Sequence, residues 1–384
     1  MARSKQTSAL RRSIVGILWV FANYVNFLIF AQFGFLQRVQ SLGFGPEQTQ
    51  KLLGAMGVTG LVTSFLTPAV LRRASAFAVV RLGFITSILV VLGAIASERL
   101  PFLFFVSGGI GFSVGLTSVT LSVLLRRLFP ARQIGLNAAL GTGLAYFVCN
   151  IPWLFEAPPV AKGIVACATL SLSVLSTFWL GDVEAPDCPA PLDQAEPLLS
   201  RPAGFALITG MFLALIWLDS AAFYIIQNTP HLKATSWGGP ASQLLNGLVH
   251  LAAALAGGWL IDRGKLHAAL ILAYLIITSG ILLLQGQGSL APFGALFYVV
   301  AVSVYSTGLS AYAALEPEGK GAVPIRWRAG ILYAISGWLG SALGVGMAQT
   351  LRVVPPWFMA AAGVVMGAAL VSMVLRGRGR RGAP

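Results

Sequence analysis

The chain alternates between long apolar stretches and short connections that hold most of its charged residues. Each stretch is about 20 residues long, roughly the length that an α-helix needs to cross the hydrocarbon core of a bilayer. Runs such as Leu266 to Leu284 are apolar on all sides rather than at every second position, so they predict helices and not barrel strands. The pattern predicts about twelve membrane spans, at 13–34, 50–71, 76–97, 102–125, 134–155, 160–180, 203–226, 241–261, 266–285, 289–313, 329–350 and 354–375.

Composition supports a membrane location for these helices. Of the 384 residues, 57% are apolar and only 10% are charged, whereas a soluble domain carries about 25% charged residues. A core of this size does not bury so much apolar sequence in water, so lipid is the second solvent. The predicted fold class is an all-α polytopic membrane protein. Span one is too long for a signal peptide and is predicted to stay in the mature protein.

The positive charges are distributed unevenly between the two sides of the predicted bundle. The side opposite the termini holds six basic residues, so 20 of the 26 Lys and Arg lie on the termini side. The six are Arg38, Lys51, Arg99, Lys162, Lys233 and Arg352. The positive-inside rule therefore predicts cytoplasmic termini, in what we expect to be a bacterial inner membrane.

The net charge of +14 does not indicate a nucleic-acid partner. Basic residues at helix ends face anionic lipid, whereas nucleic-acid binding would require a basic face on a soluble domain. The three cysteines have no metal-ligand spacing and form no disulfide framework. We predict neither a metal nor a cofactor, and we expect a monomer.

An acidic, proline-rich segment divides the chain into two halves. Its composition predicts a flexible cytoplasmic linker over 182–202, between six-helix units at 1–181 and 203–384. Gly45-Pro46 and Gly239-Pro240 are 194 residues apart, and Gly135 and Gly330 are 195 apart. The matching offsets indicate an internal duplication, although glycine and proline are also common at helix starts.

At this point the sequence resembles the major facilitator superfamily of secondary transporters. Gly257-Gly258-Trp259-Leu260-Ile261-Asp262-Arg263-Gly264-Lys265 is similar to the family's Gly-x-x-x-Asp-Arg-x-Gly-Arg/Lys loop, one residue shorter after the arginine. The equivalent loop after span two keeps the basic pair Arg72 and Arg73 but lacks the glycine and the aspartate. The resemblance implies two pseudo-symmetric bundles of six helices.

The same resemblance implies a gating role for this loop, with Gly258, Asp262, Arg263, Arg72 and Arg73 as its residues. Glycine lets helices approach closely, and Asp262 is placed to accept hydrogen bonds from a neighbouring helix N-terminus, whose dipole favours an anion. The alternative is an ordinary short turn with positive-inside residues. The arginine of span four and the Gly-Pro of span five that drug–proton antiporters carry are missing.

Asp219 is the one acidic residue of the sequence that lies well inside a predicted span. A charged residue there costs on the order of 2.5–3.5 kcal/mol, so such residues usually face a cavity and mark an ion or proton path. His250 lies at a similar depth on the next predicted helix, and histidine titrates near physiological pH. We therefore predict Asp219 and His250 as proton-coupling residues; the alternatives are an acid that is only hydrogen-bonded and a histidine that only packs.

Polar and aromatic residues at similar depth predict a substrate pathway. Family topology would place spans one, four, seven and ten around it. The candidates are Asn23, Tyr24, Asn26, Thr117, Ser118, Tyr224, Gln227, Gln243, Asn246, Tyr298, Tyr305, Ser306 and Ser310. Interhelical hydrogen bonding is the alternative for each of them.

These features predict a secondary transporter of the major facilitator type and not an enzyme. We expect it to move a small organic solute by alternating access, with proton coupling through Asp219. No lysine or arginine lies at mid-membrane, which favours a neutral, zwitterionic or cationic solute over an anion. The alternatives are a non-transporting accessory or sensor protein of the same fold and a drug or metabolite efflux pump.

Overall fold

A computed structural model describes residues 2–180, 202–286, 288–315 and 321–381 of the protein. Within these ranges the regular structure is helical, and we label the twelve long helices α1 to α12. They are α1 (Ala2–Val25, Asn26–Gly34 and Phe35–Ser41), α2 (Pro46–Val70), α3 (Ala76–Ala96), α4 (Leu100–Leu128), α5 (Ile134–Cys149), α6 (Pro159–Leu180), α7 (Pro202–Asn228), α8 (Pro240–Asp262), α9 (Leu266–Gln285), α10 (Ala291–Leu315), α11 (Ile325–Ile331, Leu332–Leu339 and Gly340–Leu351) and α12 (Pro356–Arg381). Short helices cover Ala131–Gln133, Pro152–Phe155 and Pro230–Trp237.

These helices confirm the prediction of an all-α membrane protein with about twelve spans. Ten of the described helices are long and apolar enough to cross a membrane. The other two are α12, whose apolar part is Pro356–Ser372, and α5, which has 16 residues. Each of the twelve coincides with one predicted span.

Proline and glycine set several of the helix boundaries. Helices α2 and α8 both begin at a proline that follows a glycine N-cap, at Pro46 and Pro240, where the missing N–H of proline leaves no helical hydrogen bond unmade. The predicted span 134–155 is interrupted, because α5 ends at Cys149 and Ile151 takes an extended conformation before Pro152. Proline disfavours the helical conformation in the residue before it.

Two helices contain π-helical segments in their middle. These are Asn26–Gly34 in α1 and Leu332–Leu339 in α11. Hydrophobic periodicity did not predict them. Because a π-helix has more residues per turn than an α-helix, each segment changes which face the following side chains occupy, and such segments are frequent at functional sites.

The two halves of the chain meet along paired helices. Helix α5 packs on α8, α2 packs on α11, and α10 contacts both α4 and α5. Gly135 of α5 lies against the Gly258 carbonyl, and Gly330 of α11 lies against Ser64 and Pro68 of α2. The two glycines predicted to be equivalent therefore make equivalent contacts between the halves.

Helices α3, α6, α9 and α12 lie to the side, and much of their outward surface is apolar. Exposed large residues there include Leu89, Leu172, Leu175, Leu275 and Val364, as expected of a surface that faces lipid. We call the end of the bundle that holds the start of α1 the inner end and the opposite end the outer end. The predicted linker 182–202 lies almost entirely outside the described residues, so the domain division stays a prediction.

Candidate functional site

The centre of the bundle holds a carboxyl group that accepts two tyrosine hydroxyl groups. Tyr298 Oη donates to Asp219 Oδ1 at 2.5 Å, and Tyr305 Oη donates to Asp219 Oδ2. Tyr298 and Tyr305 are two turns apart on α10, so both face α7 at successive heights. Asp219 itself is only partly buried, in contrast to the fully packed Leu218 beside it.

The two hydroxyl groups are enough to hold a charge at this depth. A hydrogen bond to a charged group contributes about 1.5–3 kcal/mol, and the cost of a charged residue within the membrane is about 2.5–3.5 kcal/mol. Two such bonds offset the cost, whereas one barely does. The site can therefore hold Asp219 ionised while both tyrosines donate, and breaking one of these bonds favours protonation.

A network of hydroxyl groups joins the N-terminal helices to α10 at the same level. Tyr24 Oη donates to the Ser306 carbonyl at 3.1 Å and contacts Ser310 Oγ at 2.8 Å. Tyr146 Oη lies 3.2 Å from Ser306 Oγ, and the rings of Tyr24 and Tyr146 are 6.1 Å apart. The hydrogen bonds therefore link α1 and α5 of one half to α10 of the other, beside Asp219.

A pocket between the halves opens next to this network, on its inner side. It is lined by Asn23, Tyr24, Ser118, Ser122, Ser310 and Tyr333, together with Val20, Leu121 and Leu125. Asn23 Nδ2 donates to Ser118 Oγ at 3.1 Å across α1 and α4. Four of the predicted pathway residues, Asn23, Tyr24, Ser118 and Ser310, thus line one pocket.

His250 has a different partner from the one that the sequence suggested. Its Nδ1 lies 2.6 Å from Ser303 Oγ, and its ring stacks on Tyr146 with centroids 4.3 Å apart. Ser303 Oγ donates to the Val299 carbonyl, so Ser303 accepts from a protonated Nδ1. Within the described residues no hydrogen bond joins His250 to Asp219, and the His250 ring stacks on Tyr146 instead.

Several predicted pathway residues lie away from the centre. Asn26 Nδ2 points at Ser87 Oγ of α3 at 3.4 Å, and the Thr117 methyl group packs on Gly83 of α3. Gln243 and Asn246 hold the short helix Pro230–Trp237 at the outer end, because their amides donate to the Trp237 and Ser236 carbonyls. The side chains of these four residues make contacts within the bundle away from the central network, so their place in a substrate pathway stays a prediction.

Tyr224 and Gln227 lie near the outer end of α7. Both are partly buried, and Gln227 Nε2 is shielded from solvent with no hydrogen-bond partner among the described residues. Among the described residues, the hydrogen bonds of the Asp219 side chain go to Tyr298 and Tyr305 and not to these two residues. Tyr224 and Gln227 lie beyond the central network, toward the outer end.

The outer closing contact is a cluster of three phenylalanines that the sequence analysis missed. Phe33 of α1 packs edge-on against Phe223 of α7 at 5.7 Å and lies 5.9 Å from Phe155. Phe223 is one turn from Asp219 on the same helix. Aromatic packing between α1 and α7 thus lies about one turn from Asp219, toward the outer end.

Tyr146, Tyr333 and Lys162 were also missed. Tyr146 lies near the middle of the predicted span 134–155, away from the interfacial zone that tyrosine prefers in membrane proteins, and that position is a signal that could have identified it. Tyr333 lies in the first half of α11 and carried no such signal. Lys162 has 2% of its surface exposed and donates to Gln37 Oε1 at 2.8 Å. From the sequence, Lys162 is one of six basic residues on the outer side, and nothing distinguishes it from an exposed residue at a helix end.

At the inner end, Asp262 caps the start of α5. The Gly135 N–H donates to Oδ1 at 2.6 Å and the Leu136 N–H donates to Oδ2 at 2.8 Å. These N–H groups are free because the first turn of a helix has no internal acceptors for them, and the helix dipole adds a favourable interaction with the carboxylate. The contact crosses from α8 to α5 and so joins the two halves.

The other residues of the predicted gating loop have separate contacts. Gly258 lies directly on Gly135, which allows the approach of α8 to α5. Arg263 stacks on Trp259 at 3.7 Å, and Arg72 and Arg73 are exposed in the turn after α2. The motif therefore forms an inter-helix contact and not only a turn.

Two helical halves meet around a central polar network and contact each other near both ends. The fold is that of the major facilitator superfamily. The crystal structure of the human organic anion transporter MFSD10 (TETRAN) is similar with a TM-score of 0.64 and 16% identity, over 94% of this chain and 98% of that one.

Two further structures support the same fold. The proton:xylose symporter XylE bound to 6-bromo-6-deoxy-D-glucose gives a TM-score of 0.67 at 12% identity, over 96% of this chain and 95% of that one. The Escherichia coli fucose:proton symporter FucP gives a TM-score of 0.61 at 12% identity, over 95% of this chain and 97% of that one. No family sequence model matches the chain, and no curated protein sequence matches it significantly. The predicted fold is confirmed.

Proposed function

We propose that the protein is a secondary active transporter that moves a small organic solute by alternating access, with protons coupled through Asp219. The observation that carries the proposal is the carboxyl group of Asp219, held by Tyr298 and Tyr305 beside a hydroxyl network that spans both halves. A solute that displaces one tyrosine changes the balance between ionised and protonated Asp219. Two of the similar structures are described as proton symporters, which agrees with this coupling.

The solute class follows from the polar groups around the path. Hydroxyl groups and one carboxyl group surround the centre, and they suit a neutral, zwitterionic or cationic solute that offers donors. Lys162 favours a second candidate, an anionic solute. Its ammonium group is buried and has no carboxylate partner among the described residues, and MFSD10 is described as an organic anion transporter.

The experiment that tests the function is uptake into proteoliposomes under an imposed pH gradient. We expect at least one solute from a panel of sugars, amino acids, organic amines and carboxylates to accumulate, and the accumulation to collapse with a protonophore. Liposomes without protein are the control. If no solute moves in either direction or alters thermal stability, the accessory or sensor function is correct instead. Accumulation that persists with the protonophore would contradict proton coupling.

We propose that both termini face the cytoplasm of a bacterial inner membrane. The proposal rests on the excess of basic residues at the inner end, 20 of 26. A C-terminal fluorescent reporter, which matures only in the cytoplasm, should fluoresce, and a C-terminal alkaline phosphatase fusion should be inactive. A reporter inserted after Arg99, between α3 and α4, is the matched outer-side control and should give the opposite result. Active phosphatase at the C-terminus would reverse the orientation.

We further propose that the contact of Asp262 with the start of α5 is a latch that closes the inner end. In support, the contact joins the two halves, is partly buried, and uses both carboxylate oxygens. Its release would let α5 and α8 separate at the inner end while the aromatic cluster at Phe33 and Phe223 stays closed. Alternating access requires one contact that closes the inner end and another that closes the outer end, each able to open while the other stays closed.

A further inference from the structure

The inner end of α6 carries two exposed aromatic rings, each covered by an arginine from a neighbouring helix. The guanidinium of Arg11 on α1 lies 4.1 Å from the ring centroid of Trp179. The guanidinium of Arg81 on α3 lies 4.1 Å from the ring centroid of Phe178. Trp179 and Phe178 are 54% and 62% exposed, so both stacks lie on the outside of the bundle, away from the central path.

The stacks hold the guanidinium groups in defined positions. Arg81 Nε also donates to Thr177 Oγ1 at 2.9 Å, which leaves the other guanidinium N–H groups free to bind elsewhere. Arg11 Nε is shielded from solvent and has no hydrogen-bond partner among the described residues. A planar guanidinium stacked on an aromatic ring loses little further freedom when it binds an anion, so both groups are prepared for a ligand.

No carboxylate of the described residues neutralises either arginine. The two ion pairs found there are Arg38–Glu98 and Lys51–Glu47, and both are at the outer end. Because Phe178 and Trp179 are successive residues of α6, Arg81 and Arg11 place two positive charges on adjacent faces of this helix, without a protein counter-ion in the described part of the chain.

The surroundings of the stacks are those of a lipid headgroup. Leu10 and Ile14 of α1, Leu82 of α3 and Leu175 of α6 are large apolar residues that are half or more exposed. Together they form an outward apolar surface next to the arginines. Trp at the boundary between such a surface and water is typical of the membrane interface. An acyl chain can lie on this surface while its phosphate lies at the level of the two guanidinium groups.

We propose that Arg11, Arg81, Trp179 and Phe178 form a binding site for the phosphate of an anionic phospholipid. Guanidinium groups bind phosphate through paired N–H donors. A lipid with net negative charge is preferred over a zwitterionic one. The choline or ethanolamine group of a zwitterionic lipid would bring a cation next to two unneutralised arginines. Basic residues near a membrane surface each favour anionic lipid by about fivefold, and the factors multiply, so two predict a preference of roughly 25-fold.

The test uses the full-length purified protein and two measurements. Native mass spectrometry counts retained lipid after exchange into equal amounts of phosphatidylglycerol and phosphatidylcholine, and thermal unfolding is followed with each lipid added. We expect a preference of about 25-fold for phosphatidylglycerol, together with a rise in unfolding temperature that phosphatidylcholine does not give. Inorganic phosphate is added in a third arm, and equal protection by phosphate alone would overturn a lipid site.

Matched variants assign the preference to these residues. Arg11→Gln with Arg81→Gln should lose most of the preference, whereas Arg132→Gln with Lys265→Gln, which removes two exposed charges at the same end, should keep it. Trp179→Ala should weaken binding without changing the charge. If the first double variant is unstable even without lipid, Arg11→Lys with Arg81→Lys keeps both charges and should lose part of the preference. Wild-type lipid retention in both arginine double variants would refute the site.

Discussion

Replacing Asp219 by asparagine should abolish proton-driven accumulation while leaving exchange of the solute intact. Asparagine has nearly the same shape and can still accept a hydrogen bond from Tyr298 or Tyr305, so the bundle should fold. It cannot take up or release a proton. A pH gradient of one unit is worth about 1.4 kcal/mol per proton, which supports about tenfold accumulation. That factor should fall to about one in Asp219→Asn.

The measurement compares two modes of the same proteoliposomes. Uptake under a pH gradient tests coupling, and counterflow at equal pH tests solute binding and the conformational change. Glu47→Gln is the control, because Glu47 is an exposed acid near the outer end of α2 and both modes should be normal. Retained tenfold accumulation in Asp219→Asn would show that the coupling proton is carried elsewhere. Loss of counterflow together with accumulation would place Asp219 in solute binding instead.

The twelve helices could be predicted from the sequence because lipid imposes a simple requirement on each of them. A span must be long, apolar and internally hydrogen-bonded, and the pattern of the chain records all three. Helix starts such as Pro46 and Pro240 could also be placed, since proline at the first turn is a local effect. The break after α5 at Ile151 is also a local effect of Pro152, so it could have been predicted from the sequence.

The partners of the central residues depend on helix rotation, which the apolar pattern does not record. Asp219 and His250 are at similar depth on successive helices, yet His250 faces Ser303 and Asp219 faces Tyr298 and Tyr305. Depth is fixed by counting residues from a helix end, whereas the facing residue depends on packing with several neighbours. The π-helical segment that begins at Asn26 changes the local register further, and Asn26 faces α3.

Asp262 shows which side-chain contacts can be anticipated. A carboxylate at the end of one helix and a free helix N-terminus nearby are complementary whatever the rotation of the helix axes. The resemblance of one loop motif was therefore sufficient to expect this hydrogen-bond pattern. The phenylalanine cluster at Phe33 had no such chemical signal, because apolar residues are expected at every position of a span.

Gly258→Val should have the largest effect of any single change at the contact between α5 and α8. A Cβ atom at Gly258 would lie 2.5 Å from the Gly135 carbonyl oxygen and 2.6 Å from the Ala139 Cβ. The first of these atoms is backbone, so the clash is relieved only if the helices move apart. Overpacking costs about 1–3 kcal/mol or more. We expect a clear fall in unfolding temperature and a loss of transport by about tenfold or more.

Gly54→Val and Gly346→Val are the matched controls, because an added Cβ at either position meets no atom within 4 Å. Both should transport normally, and equal behaviour of Gly258→Val would contradict the close contact between α5 and α8.

Asp262→Asn separates the latch from the steric contact. Asparagine keeps one acceptor for the Gly135 or Leu136 N–H and loses the charge, so the helices still fit together but the inner end opens more readily. Ser310→Cys, introduced without the native cysteines, reports the opening because Ser310 lines the pocket on its inner side. A thiol reagent applied from the inner side should label it several-fold faster in Asp262→Asn. Unchanged labelling would show that the hydrogen bonds of Asp262 stabilise α5 without closing the path.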